Sequence, residues 1–289
     1  MHLRVVTALF LLPSPALVGF HLGMGRLETT FARCRAENRA ALVSYVCAGD
    51  PDAATSVKIL LALAENGADI LEVGVPFSDP LADGLTNQLA AQRALESGMT
   101  HNGLLEILRA VRAKSDKPLV LYTYYNLLIT RGLNETCKAL HEAGADALLA
   151  LDCPPEEAAD LLAACKQNNL QVIFIVAPTT PPARIATIAK VASGFIYYVS
   201  RSGVTGERTD LAANLGTAVA EIRRHTTLPI CVGFGISTPE QVKAVAAVAD
   251  GVVVGSALVN LVAAQAKTPE AAPRMVAARC QELAAGLKR

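Results

Sequence analysis

Three stretches of this chain end a helix-like segment with small residues and continue at once as a short apolar strand. They are "ENGADILEVGV" (65–75), "EAGADALLALD" (142–152) and "AVADGVVVGS" (247–256). Glycine allows the left-handed backbone that ends a helix, and a run of Val, Ile and Leu suits a parallel strand buried on both faces. The repeated unit therefore predicts helices and strands that alternate around a parallel sheet.

Further apolar runs of the same kind raise the number of predicted strands to eight. They span residues 41–47, 118–124, 171–176, 194–199 and 229–234. Predicted helix starts carry a capping residue followed by proline, at Asp50-Pro51, Thr238-Pro239 and Thr268-Pro269. Eight strand–helix units in about 260 residues predict a single (β/α)8 TIM barrel with extra N- and C-terminal helical segments. A doubly wound sheet is the alternative architecture.

Composition limits the classes of partner. Of the 289 residues, 52% are hydrophobic and 18% charged, and the formal net charge is zero. A chain without basic excess is not expected to bind nucleic acid or an acidic membrane surface. The cysteine number is odd, at seven, and no C-x-x-C pair occurs. We therefore expect no disulfide framework and no metal site, and we predict a reducing, cytoplasmic location.

Residues 1–23 differ from the rest of the chain. Their positive start and apolar stretch resemble a secretory signal, but Pro13 and Pro15 interrupt the stretch and no small-x-small cleavage site follows. Met24 begins a sequence typical of a soluble enzyme. We expect residues 1–23 to be a start-site artefact or a dispensable, disordered extension, with a true export signal as the alternative. The TIM-barrel catalytic domain is predicted to span 24–289.

Two carboxylates stand out in "LEVGVPFSDPLADG" (71–84). Glu72 interrupts the apolar run of the second predicted strand, and a carboxylate in a buried strand must be paired, protonated or used in chemistry. Asp83 follows in a loop punctuated by proline and glycine, which brings both groups to the end of the barrel where reactions occur. Such a pair is typical of general acid–base catalysis. The structural alternative is that Glu72 forms an interior ion pair and Asp83 caps a helix.

Glycine-rich loops follow the last three predicted strands, at "SRSGVTGER" (200–208), "GFGIST" (233–238) and "GSAL" (255–258). Glycine lets backbone N–H groups approach an anion, and a helix N-terminus favours negative charge. Barrels often bind phosphate with the loops after strands seven and eight. The pattern therefore predicts a phosphate site, with ordinary turn glycines as the alternative.

An ordered series of motifs from about Phe31 to the C-terminus resembles the tryptophan synthase alpha subunit family. Besides residues 71–84, the series comprises "YVCAGDPD" (45–52), "TYYN" (123–126), "LDCPPEE" (151–157), "SRSGVTG" (200–206), "GFGISTPEQV" (233–242) and "DGVVVGSA" (250–257). The resemblance implies a lyase of tryptophan biosynthesis that splits indole-3-glycerol phosphate by retro-aldol cleavage to indole and glyceraldehyde 3-phosphate. It also implies an alpha2-beta2 complex with a beta subunit. The pyridoxal phosphate would belong to that partner, and this chain would need no cofactor.

The resemblance also implies roles for individual residues. Glu72 matches the family's catalytic glutamate, which moves protons between indole C3 and the glycerol hydroxyl, and Asp83 matches the aspartate that stabilises charge at the indole nitrogen. Tyr197 matches a tyrosine beside that glutamate, and Tyr45 an aromatic residue of the indole pocket. The remaining implied substrate- and phosphate-binding residues are Thr205, Gly206, Phe234, Gly235, Ile236, Gly255 and Ser256.

The chain departs from the family pattern near the predicted site. Leu85 and Leu151 stand where proline is common, and Asn87 where an aliphatic residue is common. Loss of proline at 85 frees a backbone angle and is expected to loosen the loop, and Leu151 is expected to alter contacts with a partner. Three alternative functions stay open: a stand-alone lyase that releases free indole, a non-catalytic activator of a beta-type subunit, and another phosphate-sugar barrel enzyme.

Overall fold

The strands form a parallel barrel, as predicted. The computed structural model describes residues 25–200, 208–233 and 235–289, and within 208–213 the backbone alone. The strands are β1 (Ala41–Cys47), β2 (Ile70–Gly74), β3 (Leu119–Thr123), β4 (Ala147–Ala150), β5 (Gln171–Val172), β6 (Phe174–Val176), β7 (Ile196–Val199), β8 (Ile230–Gly233) and β9 (Gly251–Val254). Their order in the sheet is β5-β4-β3-β2-β1-β9-β8-β7-β6, and every pairing is parallel.

Helices connect the strands and cover the outer face of the barrel. They are α1 (Arg26–Ala36), α2 (Ala53–Glu65), α3 (Leu85–Glu96), α4 (His101–Arg112), α5 (Tyr125–Ile129), α6 (Leu133–Glu142), α7 (Ala159–Gln167), α8 (Pro182–Val191), α9 (Arg208–Arg223), α10 (Pro239–Ala246), α11 (Ser256–Ala264) and α12 (Ala272–Ala284). Short 3-10 turns lie at Pro269–Ala271 and Ala285–Leu287. The extra terminal helical segments of the prediction are therefore α1 and α12.

The fifth predicted strand is divided into two pieces. The sequence predicted one strand over 171–176, whereas the structure has β5 and β6 on either side of Ile173. β5 pairs with β4 and β6 pairs with β7. The reason lies in barrel closure, because this segment changes its hydrogen-bonding neighbour halfway along its length. The eight predicted strands thus become nine segments of one barrel.

Helix α1 closes the bottom of the barrel, at the N-terminal ends of the strands. Its buried face carries Leu27, Phe31 and Cys34, spaced as one stripe of a helix. These side chains belong to the interior cluster with Phe195, whose ring lies 5.9 Å from that of Phe31. Apolar side chains therefore fill the lower part of the barrel interior, and the polar side chains of the interior lie at its upper end.

Three aspartates tie neighbouring strands together at the bottom rim. Asp69, Asp146 and Asp250 each precede a strand and accept a hydrogen bond from a backbone N–H of an adjacent strand, at Leu42, Leu119 and Ile230 respectively. Each aspartate also pairs with two arginines: Asp69 with Arg33 and Arg39, Asp146 with Arg26 and Arg112, and Asp250 with Arg223 and Arg289. These aspartates, one in each of the three sequence repeats, therefore stabilise the rim opposite the predicted site.

The predicted helix starts are confirmed in part. Thr238 caps α10 with a capping box that includes Gln241. The expected cap at Asp50 is wrong, because α2 begins after Asp52, whose side chain accepts from the Thr55 N–H. Asp50 instead forms a buried ion pair with Arg93 of α3, with both carboxylate oxygens bonded at 2.8 and 2.7 Å.

In α12, Val276, Cys280 and Leu283 are buried and lie on one apolar face of the helix. No helix in the described part of the chain combines the length and apolar character that crossing a bilayer requires. The predicted extension at 1–23 lies outside the described residues.

Candidate active site

A cavity of about 520 Å³ lies at the C-terminal ends of the strands. We call it the mouth cavity. Its lining residues come from strands and loops all around the barrel, and they are Tyr45, Glu72, Ala82, Gly84, Leu85, Thr86, Asn87, Tyr122, Leu151, Ile175, Ala177, Tyr197, Val199, Gly233, Gly235, Val253, Gly255 and Ser256. This is the end of a TIM barrel at which active sites are found.

Glu72 lies in the floor of the mouth cavity. Alternation along β2 turns Leu71 and Val73 towards the outer helices, and therefore turns Glu72 inward. The residue is 1% exposed, and its Oε1 is buried without a hydrogen-bond partner among the described residues. Burial and the nearby charge of Asp83 raise the pKa of Glu72 to about 8. A carboxyl group in this state holds a proton at neutral pH and is available as an acid.

Asp83 is held by two tyrosines. The hydroxyl of Tyr122 donates to Asp83 Oδ1 over 2.9 Å, and that of Tyr124 donates to Oδ2 over 2.8 Å. The Asn87 amide lies 3.4 Å from Oδ1, and the Ala82 N–H donates to the Tyr124 hydroxyl. Both carboxylate oxygens act as acceptors, as in an ionised carboxylate. Asp83 adjoins the mouth cavity through Tyr122, which lines it.

Tyr45 and Tyr197, which the family resemblance singles out, line the mouth cavity. Tyr45 is the register partner of Glu72 across β1 and β2, so the two side chains are neighbours in the inner layer. The charge of Glu72 contributes, after burial, to the raised pKa of the Tyr197 hydroxyl. Burial also raises the pKa of the Tyr45 hydroxyl, so both tyrosines stay protonated at neutral pH.

One side of the mouth cavity has the features of an anion site. Gly235 has a left-handed φ of +70°, and no heavy atom of the described residues lies within 4 Å of the place where a Cβ would stand. Gly255 precedes Ser256, the first residue of α11. The first N–H groups of a helix have no acceptor within it and attract negative charge. Glycine backbone and a helix N-terminus thus meet at the cavity wall.

The remaining predicted site residues divide into two groups. Ile236 is buried and belongs to the outer apolar core. Thr205, Gly206 and Phe234 lie outside the described residues. Within the described ranges, no three His, Cys, Asp or Glu side chains come together as a metal-ligand group.

Sequence reasoning missed Tyr122, Tyr124 and Asn87. The alternation of the strand could have identified Tyr122, because Val120 faces the barrel interior and the residue two positions on faces the same way. The contacts of Tyr124 and Asn87 with Asp83 had no sequence signal. The three departures from the family pattern, Leu85, Asn87 and Leu151, all line the mouth cavity, and Leu85 is 70% exposed.

Comparison with known proteins agrees with this geometry. A sequence model of the family described as "Tryptophan synthase alpha chain" matches residues 31–288. The chain is 56% identical to the tryptophan synthase alpha chain of Opitutus terrae over 266 residues, which cover 92% of this chain and 100% of that protein. It is 50% identical to the corresponding protein of Geotalea uraniireducens, over 82% of this chain and 89% of that protein.

Solved structures agree as well. The alpha subunit of tryptophan synthase from Legionella pneumophila superposes with a TM-score of 0.84 at 33% identity, covering 91% of this chain and 98% of that one. A tryptophan synthase chain from M. tuberculosis gives 0.82 at 36% identity, covering 92% and 100% respectively. The chain therefore belongs to the tryptophan synthase alpha chain family, whose members are lyases that cleave indole-3-glycerol phosphate to indole and glyceraldehyde 3-phosphate.

Proposed function

We propose that Glu72 and Asp83 divide the acid–base chemistry of indole-3-glycerol phosphate cleavage between them. The observation that carries this proposal is the state of Glu72, which is buried, has an oxygen with no hydrogen-bond partner among the described residues and has a pKa raised to about 8. Proton transfer to ring carbon C3 of the substrate requires a protonated acid. The hydrogen bonds that Asp83 accepts support its role as the ionised partner.

The proposed reaction has two proton transfers. Glu72 gives its proton to C3 of the indole, which becomes tetrahedral, while Asp83 stabilises the positive charge at the ring nitrogen. Glu72, now ionised, then takes the proton of the hydroxyl on the carbon attached to C3. The C–C bond breaks, its electron pair returns to the ring and neutralises the nitrogen, and the hydroxyl carbon becomes the aldehyde. Glu72 ends protonated, so no external acid or base is consumed.

The other predicted residues serve binding in this proposal. Tyr45 and Tyr197 form walls of the indole end, and Tyr197 also stands beside Glu72 during proton transfer. The backbone at Gly235, Gly255 and Ser256 holds the phosphate, supported by the open space at Gly235 and the helix start at Ser256. Thr205, Gly206, Phe234 and Ile236 stay predictions for the same substrate. The chemistry is assigned to side chains of this chain, without a metal or organic cofactor.

The family implies a small-molecule substrate and a beta-subunit partner. We propose an alpha2-beta2 complex in which the pyridoxal phosphate belongs to the beta subunit. We also propose a cytoplasmic location, which the seven free, buried cysteines support. Finally, we propose that the catalytic domain is complete from Met24, so that a chain starting there retains cleavage activity.

The deciding experiment measures indole release from indole-3-glycerol phosphate by Glu72→Gln and Asp83→Asn. We expect kcat to fall by about 10² to 10⁴ in each variant. Binding of glycerol 3-phosphate, which probes the phosphate site alone, should stay within about threefold of the wild type. Glu106→Gln changes an exposed glutamate of α4 in the same chemical way and should leave both quantities unchanged. Near-normal turnover by either catalytic variant contradicts that residue's role.

The same assay separates the alternative functions. Fast indole release by the chain alone, unchanged by a beta subunit, would favour the stand-alone lyase. Indole formation that survives Glu72→Gln, together with intact stimulation of a beta subunit, would favour a non-catalytic activator. Turnover of a sugar phosphate that lacks an indole ring would favour a different barrel enzyme.

A further inference from the structure

Tyr122 connects the Asp83 carboxylate to the wall of the barrel. It occupies an inward-facing position of β3, and its hydroxyl donates to Asp83 Oδ1 over 2.9 Å. Its ring lines the mouth cavity and packs edge-on against Tyr45, with 5.1 Å between the ring centroids and 68° between the planes. The backbone of β3 and the packing against Tyr45 of β1 therefore fix the position of this hydroxyl, whereas Asp83 lies in the loop that joins β2 to α3.

The two oxygens of Asp83 are engaged unequally. Among the described residues, Oδ1 accepts from the Tyr122 hydroxyl and lies 3.4 Å from the Asn87 amide, while Oδ2 accepts from the Tyr124 hydroxyl alone. Each carboxylate oxygen has two accepting positions. Oδ2 therefore keeps one position for a further donor, and the ring N–H is the donor that the substrate brings.

We infer that Tyr122 is a positioning residue for the cleavage, which holds Asp83 Oδ1 so that Oδ2 faces the ring nitrogen. This inference rests on the proposed role of Asp83. Burial and the Asp83 charge raise the pKa of the Tyr122 hydroxyl, so it keeps its proton and remains a donor across the working pH range. The hydrogen bond to a charged acceptor is of the stronger kind.

The first test is Tyr122→Phe, which removes the hydroxyl and keeps the ring against Tyr45. We expect kcat for indole release to fall about ten- to hundredfold, as for loss of a hydrogen bond to a charged group. The KM for indole-3-glycerol phosphate should change less than about threefold, because the phosphate site is untouched. Tyr125→Phe is the matched control. Tyr125 packs against the outer core, so this substitution should leave kcat unchanged. A Tyr122→Phe variant that keeps more than half the wild-type kcat overturns the inference.

A double-mutant cycle tests whether Tyr122 acts through Asp83. In an Asp83→Asn background, adding Tyr122→Phe should lower kcat by less than about twofold, because the carboxylate to be positioned is gone. An undiminished effect of Tyr122→Phe in that background overturns the positioning role. If Asp83→Asn alone turns over normally, both the proposed function of Asp83 and this inference fail. If Asp83→Asn is slow and Tyr122→Phe is normal, this inference alone fails.

A second pair of variants decides the matter if Tyr122→Phe does not fold. Tyr122→Gln keeps a hydrogen-bond donor, and Tyr122→Leu keeps an apolar side chain of similar size. Positioning predicts a higher kcat for Tyr122→Gln, whereas a purely structural role in the barrel interior predicts the reverse order. A kcat for Tyr122→Leu equal to or above that of Tyr122→Gln overturns the inference.

Discussion

The Tyr197 hydroxyl oxygen lies 2.6 Å from the place where a Cβ at Gly233 would stand. β7 and β8 are adjacent in the sheet, and Val199 is the register partner of Gly233. Only glycine leaves room for the tyrosine at this point, because side chains essentially never tolerate a contact this short. Tyr197 can therefore occupy this position only because residue 233 has no side chain.

Gly233→Ala should displace Tyr197 from the wall of the mouth cavity. We expect kcat/KM for indole-3-glycerol phosphate to fall at least about tenfold, since overpacking of a tight interior costs about 1–3 kcal/mol. Adding Tyr197→Phe removes the closest atom and should recover part of the loss. Gly216→Ala, in α9 with its nearest neighbouring atom at 3.7 Å, is the control and should change little. A fully active Gly233→Ala would show that the cavity wall is free to move.

The pH dependence of cleavage should report Glu72. Because its pKa is raised to about 8, Glu72 is protonated below that pH and loses its proton above it. We therefore expect kcat/KM to fall on the alkaline side with a midpoint near this value, since the free enzyme must supply a proton. Replacing Asp83 with Asn removes a charge that raises this pKa, so the midpoint should move to lower pH. A pH profile that is flat up to pH 10 would contradict the assignment of Glu72 as the acid.

Stability should depend on pH through the same residue. The folded-state pKa of Glu72 is above its ordinary value of 4.5, so its contribution to stability is present below 4.5 and is lost as pH rises through about 8. Glu72→Gln does not ionise, and should exceed the wild type in free energy of unfolding at pH 9 by on the order of a few kcal/mol. The difference should shrink towards pH 4.5. Urea unfolding at the two pH values measures it, with Glu106→Gln as the control.

Asp69 should matter for stability and not for chemistry. Burial works against its charge, but hydrogen bonds from Arg39 and the Leu42 N–H lower the pKa of Asp69 below its ordinary value. Asp69→Asn removes the buried carboxylate that Arg33 and Arg39 share, leaves them with Glu37 alone, and should cost about 1–3 kcal/mol in unfolding free energy. The wild type should lose this contribution as pH falls through the acid range. The exposed Asp116 provides the control, and KM should be the same in both variants.

Leu81 is 83% exposed in the loop that carries Asp83, next to the mouth of the barrel. Exposed apolar side chains beside a site suit contact with a partner. Leu81→Lys should weaken stimulation of the chain by a beta subunit about tenfold or more, and should leave the activity of the isolated chain unchanged. Leu95, 37% exposed on α3, provides the control substitution Leu95→Lys. Equal stimulation of both variants would place the partner surface elsewhere.

The sequence by itself determined most of the architecture. Buried strands of Val, Ile and Leu separated by helices require a parallel sheet that is covered on both faces. Eight such units in about 260 residues favoured the barrel over the doubly wound alternative. The same local pattern predicted Glu72 inside the barrel, since a carboxylate between apolar neighbours in a strand has no solvent to face. The glycine-rich loop pattern singled out Gly235, Gly255 and Ser256, and the family resemblance singled out Tyr45. All four line the mouth cavity, and their binding roles stay predictions.

Only the tertiary structure decided which distant groups meet. Asp83 is 39 positions from Tyr122 and 41 from Tyr124 along the chain, and no local rule relates them. The pairing of β2 with β3 brings these residues together, just as barrel closure divides the fifth strand at Ile173. Asp50 likewise pairs with Arg93 and does not cap α2, because the packing of α3 places that half-buried guanidinium beside it. Side-chain periodicity is a property of one element, whereas a hydrogen bond between elements depends on how they pack.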